Sequence, residues 1–338
     1  MLGFDLRYLA GWQATMKPQE FQPAGDRLRV VIRVMPEKEG NRPLSLADSL
    51  TLPSRDRMGG REIMISGGFA LGEGRYQVDW LVRDGRDRYC SSHWSIEVKG
   101  GGDFRLAIAP HTATPINPGR GRRGAAPEPA PADNGGRKFK IKILANFSNT
   151  NPRRSTLNMQ DALAVASILR TVAREPRFDK LTLVAFNMQE ERVIYESGET
   201  TRIDFGALGE AISGLQLGVI DYERYADKNS GTKFLTRLLS AHLDPRAHSA
   251  DAVLVVGPKL FLDKKVPKEA TEALSGAAAP VFYLNYVASP RMMPWRDTMG
   301  SAVRTYGGKE FRITYPKQLA EALGEMLRQL DETKLTGG

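Results

Sequence analysis

The chain has 338 residues, 41% hydrophobic and 26% charged, with a formal net charge of +9. That length favours two domains. No stretch reaches the roughly 18 apolar residues of a membrane span, and the basic balance comes without a nucleic-acid-binding signature.

The first residues, MLGFDLRYLAGWQATMK, lack a basic segment followed by an apolar run, so they do not read as a signal peptide. A run of short alternating segments follows: FDLRYLAGWQATM, RLRVVIRVMP, REIMISGGFAL, GRYQVDWLVRD and RYCSSHWSIEVK. In Tyr76-Gln77-Val78-Asp79-Trp80-Leu81-Val82 every second residue is apolar, and Asp84-Gly85 marks a hairpin turn. Repeated strands without a helical period predict an antiparallel β-sandwich over 1–112. Trp80 and Trp94 are expected on neighbouring strands, as packing aromatics. Gly67-Gly68 and Gly72 fit bends between strands. The one cysteine, Cys90, excludes an intramolecular disulfide, permits either redox compartment and reads as a packing residue.

Residues 113–137, ATPINPGRGRRGAAPEPAPADNGGR, lose all apolar periodicity and read as a flexible Pro/Gly/Arg linker carrying Arg120, Arg122 and Arg123.

After the linker the period changes. KFKIKILAN reads as a strand, and Ser155 or Thr156 can cap a helix running to about Arg174. LTLVAFN (181–187) and ERVIYES (191–197) read as a strand pair. Helical patterns follow at 206–215 and 232–242, then the apolar strand DAVLVVG (251–257) and a helix near 267–276. The strand PVFYLNY (280–286), a helix near 297–305, the strand EFRITY (310–315) and a helix from Lys317 to Leu330 complete the chain. Strands alternating with helices predict an α/β domain over 138–332, with a mostly parallel sheet covered on both faces.

One turn stands out. In IKILANFSNTNPRRS the oxygens of Asn146, Ser148 and Thr150 alternate at the carboxyl end of a strand, beside Arg153 and Arg154. This Asn-Phe-Ser-Asn-Thr segment resembles the D-x-S-x-S turn of the von Willebrand factor A family. LTLVAFNMQEERVIYESGETTRID resembles the family's second strand and antiparallel edge strand. Asn229-Ser230-Gly231-Thr232 resembles its Gly-Gly-Thr helix start, and Thr305-Tyr306-Gly307-Gly308 its late T-G-G turn. With the phrase GGFALGEGRYQVDWLVRDGRDRYCSSHW in the first domain, the whole chain resembles the VWFA-related proteins of acidobacterial genomes.

The resemblance implies a Rossmann-like von Willebrand A domain after an immunoglobulin-like sandwich, with a metal-ion-dependent adhesion site at the strand ends. Ser148, Thr150 and Thr232 match its hydroxyl ligands. Asn146 replaces its first aspartate, and Gly257-Pro258-Lys259 stands where another is expected. Divalent metal needs hard oxygen ligands with negative charge. Both matched carboxylates are missing, and Arg153, Arg154 and Lys259 add positive charge. The expectation is a degenerate site without a cofactor, in which Ser148, Thr150 and Thr232 are the ligands left for any Mg²⁺. Its oxygens then satisfy loop backbone groups, or its cationic rim takes an acidic residue of a partner directly.

The remaining candidates read as ordinary surface. His242 and His248 flank a Pro-containing loop rather than sharing a helix face. Asp221-Tyr222-Glu223-Arg224 reads as a solvated loop. Met292-Met293-Pro294-Trp295 reads as an apolar cover for the sheet's end or a partner surface. There is no G-x-S-x-G, Walker loop or HExxH. The expected function is therefore non-catalytic protein–protein binding or adhesion. A cell-envelope or polysaccharide-binding module would need an exposed, coplanar Trp80–Trp94 pair. A hydrolase with a loop-borne site would need a buried, perturbed Asp/His pair. The resemblance implies a secreted or periplasmic location and leaves a cytoplasmic one open.

Overall fold

The computed structural model describes residues 1–17, 27–38, 40, 42–52, 62–100, 104–116, 136–151, 154–218, 227, 229–244, 249–262, 264–267, 279–287 and 297–336. The chain divides into two compact units, Met1–Ala126 and Pro127–Gly338.

The first unit is antiparallel β-structure in two sheets. Strands β1 (Tyr8–Met16), β4 (Ile63–Leu71) and β7 (Ala113–Pro115) form one, in the order β1-β4-β7. Strands β2 (Arg27–Pro36), β3 (Leu44–Thr51), β5 (Gly74–Arg83) and β6 (Tyr89–Val98) form the other, in the order β3-β2-β5-β6. Alternation decides the faces: Leu28, Val30, Ile32 and Val34 of β2 and Tyr76, Val78, Trp80 and Val82 of β5 are buried. They share one core with Ile65, Phe69 and Leu71 of β4. The Tyr76 hydroxyl donates to the carbonyls of Gly72 and Thr112, at 3.0 and 3.1 Å, tying β5 to the chain that enters β7.

Several expectations change here. β3 was absent from the predicted strands, and β7 falls inside the predicted linker but pairs with β4 through Phe69–Pro115. Residues 117–135 of that linker lie outside the described residues. Gly67 and Gly68 lie within β4, not at a bend, and a Cβ at Gly67 would sit 2.8 Å from the Trp12 indole. Cys90 is exposed rather than packed. Trp80 is buried and stacks obliquely on Trp12, centroids 5.5 Å apart, while Trp94 is only partly buried against the same core.

The second unit is a mixed α/β layer. Its sheet holds β8 (Phe139–Asn146), β9 (Phe178–Asn187), β10 (Arg192–Glu196), β11 (Ala252–Pro258), β12 (Val281–Tyr286) and β13 (Lys309–Ile313), in the order β10-β9-β8-β11-β12-β13. β10 runs antiparallel to β9, and the other neighbours are parallel. β11 is buried along its whole length, as a parallel strand covered on both faces must be. The helices among the described residues are α1 (Met159–Ala173), α2 (Phe205–Ser213), α3 (Ser230–Leu243), α4 (Thr298–Thr305) and α5 (Pro316–Thr336).

On one face, Phe234, Leu235, Leu238 and Leu239 of α3 and Met299 and Val303 of α4 close over Leu144, Phe186, Val253, Val255 and Tyr283. On α1, Val165, Ile168, Leu169 and Val172 are buried at helical spacing. Each such fully buried aliphatic side chain is worth roughly 1.5–3 kcal/mol. The strand order reverses between β8 and β11. In open α/β sheets that reversal leaves a crevice at the carboxyl ends of the strands.

The cap of α1 differs from expectation: Asn158, not Ser155 or Thr156, accepts from the Gln160 N–H at 3.2 Å. Most of the helix expected near 267–276 lies outside the described residues, as do 221–224 and 292–295.

Candidate functional site: the strand-end loops

The crevice between β8 and β11 is bridged by a side chain. Asn146, 2% exposed, donates through Nδ2 to the carbonyl of Pro258 at 3.3 Å. Its Oδ1 accepts from the Ser148 N–H at 3.1 Å, closing an Asx turn. The Tyr283 hydroxyl donates to the same Pro258 carbonyl at 3.2 Å. One residue earlier, Gly257 has φ +153°, and a Cβ there would lie 2.6 Å from Asn146 Cβ and 2.8 Å from its carbonyl oxygen. Only glycine lets the two strands approach this closely.

The neighbouring oxygens are also engaged. Ser148 Oγ accepts from the Met188 N–H at 2.7 Å. Asn149 accepts from the Asn158 N–H at 2.7 Å and donates to the Thr156 carbonyl at 2.9 Å, so it shapes the whole loop into α1. Asn187, at the end of β9, donates to the Phe147 carbonyl at 2.7 Å and accepts from the N–H groups of Gln189 and Glu190. Thr150 Oγ1 is buried without a hydrogen bond of ordinary geometry. It lies beside the Asp161 carboxyl, whose ionised form it favours.

Of the residues expected at the site, Asn146, Ser148 and Thr150 therefore share one buried turn. The start of α3 reaches the same end of the sheet: a side chain at Gly231 would touch Met188, and Ser230 Oγ donates to Glu191 at 2.6 Å. Thr232 is not joined to the turn by any hydrogen bond among the described residues. Its hydroxyl donates to the Lys264 carbonyl at 3.3 Å. Arg154 is exposed, and Lys259 is half-buried directly after β11. Arg153 lies outside the described residues, as does His248.

Two buried carboxyls were not anticipated. Asp161, in the first turn of α1, is 7% exposed. Burial pushes its carboxyl above the ordinary value, opposed by the Asn158 amide, the Arg154 charge and Thr150. Asp297 caps α4 and accepts from the N–H groups of Met299 and Leu260 at 3.1 and 3.0 Å, and from Asn285 Nδ2 at 3.1 Å. Burial raises this carboxyl too, against the backbone donors. Neither carboxyl has a histidine partner among the described residues. No group of three or more His, Cys, Asp or Glu side chains stands together there. The sequence signal for this end of the sheet was the asparagine that closes an apolar run: KILAN, LVAFN and FYLNY.

Among the described residues no helix is long and apolar enough to cross a membrane. No protein-family model matches the chain, and no curated protein matches it. Among solved structures, a point mutant of the PilB minor pilin from Streptococcus sanguinis is similar at 9% identity and a TM-score of 0.33, over 95% of this chain and 91% of that one. The same pilin without the mutation is similar at 8% identity and a TM-score of 0.31, over 94% of this chain and 91% of that one. Scores this low carry no argument about fold or function.

Proposed function

We propose that residues 138–332 form a von Willebrand A-like domain behind an immunoglobulin-like sandwich. It binds a protein partner, without catalysis and without metal, through the loops at the carboxyl ends of its parallel strands. The reversal of strand order between β8 and β11 and the antiparallel edge strand β10 are compatible with that family. The observation that carries the reading is the Asn146 amide, which bridges the crevice where a carboxylate would face a metal ion. An amide can donate to Pro258 and accept from Ser148 at once; an ionised aspartate cannot donate. The exposed Arg154 and the half-buried Lys259 then offer a cationic rim to an acidic partner side chain. The same resemblance favours a secreted or periplasmic location over a cytoplasmic one.

The test has two arms. Chelator-treated protein is titrated calorimetrically with Mg²⁺, Mn²⁺ and Ca²⁺, with Thr232→Ala as control, and an array of acidic and neutral peptides is probed with wild type, Arg154→Glu and Lys259→Glu. The reading expects no metal heat and acid-selective peptide binding that charge reversal weakens about tenfold. Micromolar metal binding that Thr232→Ala abolishes would overturn the metal-free site. Peptide binding indifferent to both reversals would overturn the rim.

A further inference from the structure

Among the described residues, the last strand of the larger sheet has a strand on one side only. β13 ends the strand order among the described residues, so one of its edges has no strand beside it. The Val287 N–H donates to the Ile313 carbonyl at 2.9 Å, so the Ile313 backbone faces β12. Backbone direction alternates along a strand. Phe311 and Lys309 therefore also face β12, and the N–H and C=O groups of Glu310 and Arg312 point outward.

Side chains alternate as well. The Phe311 ring lies 6.3 Å from Phe282, and Lys309 pairs with Glu325 of α5 at 2.8 Å, which puts both on the α5 face. Between that face and α5 runs an open groove of about 420 Å³, lined by Phe311, Ile313, Gln318, Glu321, Ala322 and Arg328. A free strand edge beside a helix-flanked groove is the geometry by which proteins accept an added extended strand.

We propose that this edge docks a second copy of the same chain. The two β13 strands pair antiparallel about a two-fold axis at Phe311 and join two sheets into one. The charges choose both occupant and register. A two-fold register that uses the outward backbone groups can be centred on residue 310, 311 or 312. Centring on Glu310 sets glutamate against glutamate, and centring on Arg312 sets arginine against arginine. Centring on Phe311 sets Glu310 of each copy, whose carboxylate also holds Arg304 and the Asn285 amide of its own chain, against Arg312 of the other, twice. Opposed unlike charges favour a strand pair, and opposed like charges disfavour it. The two Phe311 side chains then meet at the axis, beside the groove. A regular five-residue edge left open would invite unspecific pairing; closed pairing removes it.

Sedimentation velocity of the full chain tests this. Wild type is expected to dimerise at micromolar concentration. Arg312→Pro removes an outward N–H that no bond to β12 uses, and Arg312→Glu makes the cross-strand pair repulsive. Each is expected to weaken dimerisation at least tenfold with an unchanged Tm. In a Cys90→Ser background, Phe311→Cys is expected to oxidise to a covalent dimer. Directly opposed residues of a non-hydrogen-bonded pair lie about 4.5 Å apart between Cα atoms, within a disulfide's span. A wild-type chain that stays monomeric at every concentration sinks the proposal. So does a dimer that both Arg312 variants form equally well, since it uses another surface.

Discussion

The side-chain amide of Asn146 donates to the carbonyl of Pro258 across the gap between β8 and β11, at 3.3 Å. Aspartate has the same shape and no donor when ionised. Asn146→Asp should cost about 2–4 kcal/mol at neutral pH, from the lost bond and an uncompensated buried charge. Burial raises the new carboxyl's folded pKa, so the cost should shrink in acid, where a protonated carboxyl can donate again. Urea unfolding at pH 7 and pH 4 measures both. A variant as stable as wild type at pH 7 would remove the amide from its bridging role.

Gly257 lies against the same asparagine. A Cβ there would come within 2.8 Å of the Asn146 carbonyl oxygen, and its φ of +153° is one that side chains rarely adopt. Gly257→Ala should cost roughly 3 kcal/mol by forcing the strands apart. Gly324→Ala is the comparison: a Cβ there meets nothing within 4 Å. It sits inside a helix, where alanine is favoured by about 1 kcal/mol. Equal melting temperatures for the two variants would refute the close approach.

Asp161 sets a pH dependence. Burial, its first cause, holds the folded pKa above the ordinary 3.8. A carboxyl raised in this way adds stability below its unfolded pKa, and that contribution disappears as pH rises through the folded pKa. At neutral pH the ionised group therefore costs stability. Asp161→Asn should raise Tm at pH 7, keeping the contact with Asn158, and the gain should fade as pH drops below about 4. A gain of the same size at pH 7 and pH 3.5 would trace the effect to packing instead of charge.

In the first unit, Tyr76→Phe should cost about 1–2 kcal/mol, because a buried and a part-buried carbonyl lose their shared donor. Burial pushes the phenol up to about 12, against the two backbone bonds. Its contribution should hold up to pH 10 and be lost as pH rises toward 12, so wild type and variant should converge in strong alkali. Thermal melts between pH 7 and pH 11.5 read this, and a difference independent of pH would count against it.

What the sequence revealed followed burial. DAVLVVG was legible as a strand because β11 is buried on both faces and leaves no polar position in its run. LSLADSLT was not, because β3 is an edge strand whose side chains are half-buried at most. Ala113–Pro115 was hidden in proline-rich chain, since three residues carry no period. The start of α1 was read at Ser155 or Thr156, and a contact from outside the helix helps fix Asn158 as the cap instead: Asn149 Oδ1 holds the Asn158 N–H. The strand-end turn was legible as residue types; its bonds to Met188, Pro258 and Asn187 were not, since each joins segments 40 to 112 positions apart. Asp161 and Asp297 gave no signal in the sequence, because tertiary packing alone buries them.

The Pro258 carbonyl receives donors from Asn146 on β8 and Tyr283 on β12. A single oxygen thus fastens three adjacent parallel strands at one end, with no backbone ladder involved. Peeling any of the three away strands a buried polar group on the others, so partial opening of this sheet centre is penalised at once. The amides of β8, β11 and β12 should therefore exchange with solvent as one cooperative block, at the free energy of opening the whole unit. The outer strand β10, whose one strand neighbour among the described residues is β9, should open earlier and by itself.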